Sequence, residues 1–128
     1  MIGDYPGAWD GMGEPEQSVL IEIHRAVSAL LEDDSESVID VSTLPLGVAD
    51  LARLEDALGQ GEVEATIEAG GKSTVRETGV SGVWIVEHFS ESGSVLAKTI
   101  EVCEAPTILR AHREDIEIGR DELGRRLA

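Results

Sequence analysis

The sequence predicts an α+β fold: a small antiparallel β-meander sheet packed on one face by helices. Three observations predict it. Apolar residues recur at three- and four-residue steps over residues 15–32 and again over 48–58, the spacing of amphipathic helices. From Glu62 the period changes to two, and four short alternating segments follow one another to residue 105. A charged stretch with helical character then closes the chain over residues 113–127. With 128 residues, the chain has the length of one domain, large enough to bury a core without disulfides or metals.

Each element follows from its residues. Gly3, Gly7, Gly11 and Gly13, with Pro6, make residues 1–14 a flexible Gly-rich arm, and residues 15–128 form the single domain. Tyr5 and Trp9 in that arm either pack back on the domain or dock on a partner. In the first helix, Val19, Leu20, Ile23, Ala26, Val27, Leu30 and Leu31 form the apolar stripe. Pro15 suits its first turn, Glu14 and Glu16 suit its positive end, and His24 falls off the stripe. Val38, Ile39 and Val41 give a short strand that Pro45 ends. The second helix, 48–58, places Leu51, Leu54 and Leu58 on one face, with Gly59 or Gly61 as its left-handed cap.

In GEVEATIEAG, Val63, Ala65, Ile67 and Ala69 face one side, whereas Glu62, Glu64, Thr66 and Glu68 face water. Its partner is GGKSTVRETGV, reached through a two-residue turn at Gly70-Gly71. GVWIVEHF and SVLAKTIEVCEA form the next pair, joined by SESG. In the last helix Ile116, Leu123 and Leu127 line the inner face. Glu114 and Asp115 in its first turn, and Arg125 and Arg126 in its last, complement the helix dipole.

Composition narrows the function classes. The formal net charge is −16, from 26 acidic and 10 basic residues. A phosphate backbone or an anionic membrane surface needs the opposite balance, so neither is an expected partner, whereas a basic peptide is compatible. Cys103 is the single cysteine, which forbids an internal disulfide and fits a reducing cytoplasm. The N-terminal residues do not read as a secretory signal, and no stretch approaches the ~20 apolar residues of a membrane span.

Gly71-Lys72-Ser73 resembles the end of a phosphate-binding loop, but the first glycine of that motif would fall at position 66, which is Thr66. The residues that follow are β-branched and do not open a helix, so nucleotide binding is not expected. His24, His88, His112 and Cys103 have no paired metal-ligand spacing, and no metal or cofactor is expected. Cys103 alternates to the face opposite Leu96, Ile100 and Val102, where it reads as a small apolar residue. The serines sit in turns and no catalytic constellation emerges, so the chain does not read as an enzyme. In GVWIVEHF, Val83, Ile85 and Phe89 take one face and Trp84, Val86 and His88 the other. Either this strand is buried on both sides or Trp84 belongs to an exposed patch for a partner.

Several phrases occur together in one order: Leu44-Pro45-Leu46, Asp50, Leu58-Gly59, Gly61-Glu62-Val63, Arg76-Glu77-Thr78, Gly82-Val83-Trp84, Ile100-Glu101-Val102, Pro106 and Ile108-Leu109. With the preceding helix LIEIHRAVSALLE, they closely resemble the conserved C-terminal module of the HupH/HyaF hydrogenase expression proteins, over about residues 15–127. One position departs: relatives often carry a second tryptophan where this chain has Ile85. Longer relatives carry additional sequence or a second related module.

The resemblance implies a cytoplasmic accessory protein of nickel–iron hydrogenase maturation. Its implied role is a dedicated chaperone that holds the precursor of the iron–sulfur small subunit before export. The family supplies no established catalytic residues. Exported small subunits carry a twin-arginine signal, which a strongly acidic protein would attract. The residues expected to meet such a client are Arg76, Glu77, Trp84 and Glu101. Their purely structural alternative is Trp84 in the core and Arg76 with Glu101 as a cross-strand charge pair. Two further readings stay open: a metal or iron–sulfur carrier in the same pathway through Cys103 and the histidines, and a homo-oligomeric scaffold, such as a homodimer paired through an edge of the meander.

Overall fold

The computed structural model describes residues 13–68 and 70–128. The expected arm therefore lies, apart from Gly13 and Glu14, outside the described residues, as do Tyr5, Trp9 and Ala69. In chain order the elements are α1 (Glu14–Asp33), β1 (Ser37–Asp40), a 3-10 turn (Val41–Thr43), α2 (Val48–Leu58), β2 (Glu64–Glu68), β3 (Lys72–Glu77), β4 (Val83–Phe89), β5 (Val95–Val102), a second 3-10 turn (Thr107–Leu109) and α3 (Arg113–Leu127).

The helices begin and end where local chemistry dictates. The Glu16 carboxylate reaches back to the Gly13 N–H, and Asp50 does the same for the Gly47 N–H at 2.8 Å. Each satisfies one of the unpaired amides at the start of its helix. Asp34 stops α1 in a left-handed conformation (φ 56°), which a short polar side chain tolerates. Gly59 ends α2 at φ 74°.

The five strands form one antiparallel sheet in the order β1-β5-β4-β3-β2. The meander expected from the sequence is β2 to β5. The short strand between the helices extends it, pairing Ser37–Asp40 with Val102–Thr99 along the free edge of β5, where Ile39 becomes buried beside Ile100. The β2–β3 hairpin closes through three residues, 69–71, because Glu68 already pairs with Lys72. The expected two-residue turn is thus one residue too short. Gly70 supplies the positive φ of 71°.

The sheet has two unlike faces. Val83, Ile85, Ile100, Val102 and Ile39 pack against Val19, Leu20 and Ile23 of α1 and Leu54 and Leu58 of α2. This is the main core, and it is the face on which helices were expected. On the other face Val75, Trp84, Val86 and Cys103 form a second buried cluster with Ile67 against it. The central strand β4 is consequently apolar in both directions. β2 lies at the edge and alternates, with Ala65 and Ile67 half-buried and Glu64, Thr66 and Glu68 exposed.

Two expectations about helix packing fail. Leu31 is exposed although it falls within about 20° of the buried Leu20 around the helix; it lies in the last turn of α1, which ends at Asp33. More consequentially, α3 buries no residue at all. Ile116, Leu123 and Leu127 are 58%, 57% and 80% exposed rather than turned inward. Its four aliphatic residues do not share one face, because Ile118 lies on the side opposite Ile116, Leu123 and Leu127, and in a helix otherwise made of charges and glycine they offer too little apolar surface to hold it against the sheet.

Candidate functional site

The four residues singled out from the sequence do not form one cluster. Antiparallel register places Glu77 opposite Trp84, and Trp84 opposite Glu101. These three make a row across β3, β4 and β5 on the face away from α1 and α2. Arg76, one residue earlier, points to the helix-covered face, where it is opposite Ile85. The Arg76–Glu101 charge pair is therefore wrong: the pleat sends the two residues to opposite faces. Arg76 instead bonds Glu55 of α2.

Within the row, Trp84 is 6% exposed, and its indole N–H donates to the Cys103 carbonyl at 3.1 Å. That bond satisfies the one polar atom of a ring buried among Val75, Val86 and Cys103. The two flanking carboxylates are half-buried. Glu77 accepts from the Glu62 N–H at 3.2 Å, and Glu101 accepts from the Thr99 hydroxyl at 3.3 Å. The arrangement is an apolar bar with a carboxylate at each end.

The sequence did not single out Glu55. Its carboxylate receives Arg76 on one side and Lys98 Nζ at 2.7 Å on the other, and Lys98 lies 3.7 Å from Glu87. All four side chains are half-buried at the seam between α2 and the sheet. A signal was available: Leu51, Leu54, Glu55 and Leu58 occupy the i, i+3, i+4, i+7 positions of the inward stripe. A second cluster joins the starts of the two helices. Arg53 bonds Asp50 at 2.7 Å and the fully buried Glu16 at 3.3 Å. The Gly47 amide, together with Glu16 and Arg53, holds the Asp50 carboxyl below its ordinary pKa.

The shared motif residues also hold the scaffold. Thr78 is buried and donates to the Val83 carbonyl at 2.8 Å, closing the turn before β4. A Cβ at Gly61 would lie 2.6 Å from both Glu77 Oε1 and the Thr78 carbonyl oxygen, so only glycine fits beside β3. Gly82 takes φ 88° before Val83, and Pro106 is fully buried.

His24 and His112 are exposed on different helical elements, and His88 Nδ1 is 2.7 Å from the Ser73 hydroxyl. Cys103 is not brought to them. Burial, with Glu101 and Glu36 nearby, pushes its thiol up to about 11. Among the described residues no three His, Cys, Asp or Glu side chains are grouped to hold a metal ion. Lys72 and Ser73 open a strand, not a helix, and Lys72 lies over the Phe89 ring at 5.9 Å. No helix among the described residues is long and apolar enough to cross a membrane.

Among the described residues the surface is indented in at least two places. One, of about 530 Å³, lies between the hairpin tips around Gly70, Gly71 and Phe89. The other, of about 390 Å³, is an apolar groove between the residues leading into α2 and the start of β5. Leu44, Leu46 and Leu51 line one wall, Val95 and Leu96 the other, and Glu87 and Lys98 lie along it.

Residues 16–128 match the family described as the HupH hydrogenase expression protein, C-terminal conserved region. The chain is 35% identical over 97 residues to the hydrogenase expression/formation protein HupH of Rhizobium leguminosarum bv. viciae, covering 76% of this chain and 34% of that protein. It is 32% identical over 98 residues to HupH of Rhodobacter capsulatus, covering 77% and 34% respectively. It thus spans about a third of the length of these curated relatives. Among solved structures, the hydrogenase expression protein HupH from Thiobacillus denitrificans ATCC 25259 superposes with a TM-score of 0.83 at 38% identity, covering 88% of this chain and 93% of that one. The match runs through α1, the whole sheet and α3, and this chain belongs to the HupH hydrogenase expression protein family, through its C-terminal conserved region.

Proposed function

We propose that this chain is a non-catalytic binding module in nickel–iron hydrogenase maturation, holding the precursor of the iron–sulfur small subunit before export. The observation that carries the reading is the family match over residues 16–128, to relatives named hydrogenase expression/formation proteins. The geometry is compatible: the motif residues build a scaffold that presents an acidic surface. On this reading Glu77 and Glu101 meet basic groups of the client, Trp84 fixes the row between them, and Arg76 ties that part of the sheet to α2. The net charge of −16 attracts the paired arginines of a twin-arginine export signal and draws the precursor to the chain in the cytoplasm.

A carrier role through Cys103 is disfavoured, since a thiol pushed up to about 11 offers little thiolate at neutral pH. The test is calorimetric titration of the chain with the small-subunit precursor at low and high salt, with and without its signal. The proposal expects saturable binding, weaker in high salt and weaker without the signal. Salt-independent binding that survives removal of the signal would refute the electrostatic part. Absence of binding to either form would refute the client assignment.

A further inference from the structure

The sheet has two edges, and they differ. β1 pairs over only four residues and runs straight into a 3-10 turn, and beside it Arg110 bonds Glu36 at 2.6 Å. β2 carries no proline, no lysine and no register shift against β3, and among the described residues no strand pairs with its outer side. Its backbone groups divide by register. The Glu77 N–H donates to the Val63 carbonyl at 2.9 Å, so Val63, Ala65 and Ile67 turn their amides and carbonyls toward β3. Glu64, Thr66 and Glu68 turn theirs outward, and all three residues are exposed. Each of the two glutamates has a basic residue directly opposite, and each of those is engaged elsewhere: Arg76 bonds Glu55, and Lys72 lies over the Phe89 ring. Glu64 and Glu68 make no ion pair among the described residues.

We propose that the outer edge of β2 takes an extended segment of a partner protein as an added strand, one with basic side chains four residues apart and apolar ones at the alternate positions between them. Residues of that strand opposite Glu64 and Glu68 bring their Cβ atoms to about 4.5–5.5 Å, close enough to supply the missing positive charge. Residues opposite Ala65 and Ile67 fall on the other face, where they extend the Val75–Trp84–Val86 cluster past the half-buried Ile67. Charge selects this occupant over a second copy. Two β2 edges paired antiparallel about Thr66 would set Glu64 of each copy against Glu68 of the other, a like-charge pair at each end. The edge is thereby closed to itself and open to a basic strand. The inference does not depend on the maturation role, since charge and extension alone define the partner.

The test is titration of the full chain with a capped peptide of core Lys-Val-Thr-Val-Lys, up to about 1 mM, followed by amide NMR and hydrogen exchange. Saturable binding is expected, with slowed exchange at the Thr66 and Glu68 amides. Thr66→Pro removes an outward N–H at an edge position where proline is tolerated, so the variant should melt as a folded protein and lose binding. Glu64→Gln combined with Glu68→Gln should weaken binding by about fivefold or more. Glu114→Gln combined with Glu117→Gln on the exposed surface of α3 removes the same charge and should change it by less than about twofold. Absence of saturation would overturn the proposal. So would binding that the β2 variants leave unchanged, which is the outcome of bulk charge alone. Protection of the same amides in the chain by itself would also overturn it, because the edge would then be covered already by its own chain or by a second copy.

Discussion

Replacing Trp84 separates a structural indole from a contact residue. The ring is 6% exposed, packs with Val75, Val86 and Cys103, and donates one hydrogen bond to the Cys103 carbonyl. A tryptophan buries about 150–250 Å², worth roughly 4–6 kcal/mol at 25 cal/mol per Å² before the alanine that replaces it is credited. Measured Trp→Ala truncations in cores cost about 3–5 kcal/mol, so Trp84→Ala is expected to destabilise by about 4 kcal/mol. For a domain of this length that corresponds to a fall in Tm of roughly 12–20 °C. Trp84→Phe keeps most of the apolar area but leaves the Cys103 carbonyl without its donor, a loss of about 1–2 kcal/mol. Urea titration and thermal melting followed by circular dichroism read both. If Trp84→Ala melted within a few degrees of wild type while losing the client, the indole would be a contact residue and the packing argument would be wrong.

Other consequences follow from the charge clusters and the tight turns. Glu55→Ala strands Arg76 and Lys98 at the seam between α2 and the sheet and should cost about 1–3 kcal/mol in urea unfolding, with Glu55→Gln recovering part of it. Gly61→Ala pushes a methyl into the Thr78 carbonyl oxygen and should destabilise by about 1–3 kcal/mol without changing the acidic surface. Asp50→Asn removes a carboxylate whose folded pKa lies below 3.8. Stability from such a group is fully present above its unfolded pKa and is lost as pH falls through the folded value. The Tm gap between wild type and Asp50→Asn should therefore be constant near neutrality and close below about pH 3.8. Cys103→Ser should leave the metal content of anaerobically purified protein unchanged, since the thiol is buried and protonated.

Much of the fold was legible because local and tertiary preferences agree. The second helix was read at its observed limits, Val48–Leu58, since the leucine spacing and the glycines that follow mark its end, and Gly59 is the one that stops it. The two faces of β4 were also legible, because Trp84 and Val86 alternate with Val83 and Ile85. What failed depends on distance along the chain. β1 pairs with β5 some sixty residues later, and a four-residue strand carries no local mark of its partner. The supposed Arg76–Glu101 pair fails on register, which places Arg76 against Ile85 and Glu101 against Trp84. α3 was recognised as a helix but given an inner face it does not use, because amphipathic spacing says that a face wants cover and not what covers it. Glu55 went unread because an acidic residue within an apolar stripe becomes meaningful only once Arg76 and Lys98 stand opposite it.

The central claim is that this module grips a hydrogenase small-subunit precursor. The most direct measurement is co-purification of the tagged chain with that precursor, in parallel with and without its export signal. The account predicts that the precursor is retained, and retained best when the signal is present, because the −16 charge then faces its basic residues. Recovery of the chain free of either form, under conditions in which both are soluble and the chain is folded, would contradict it.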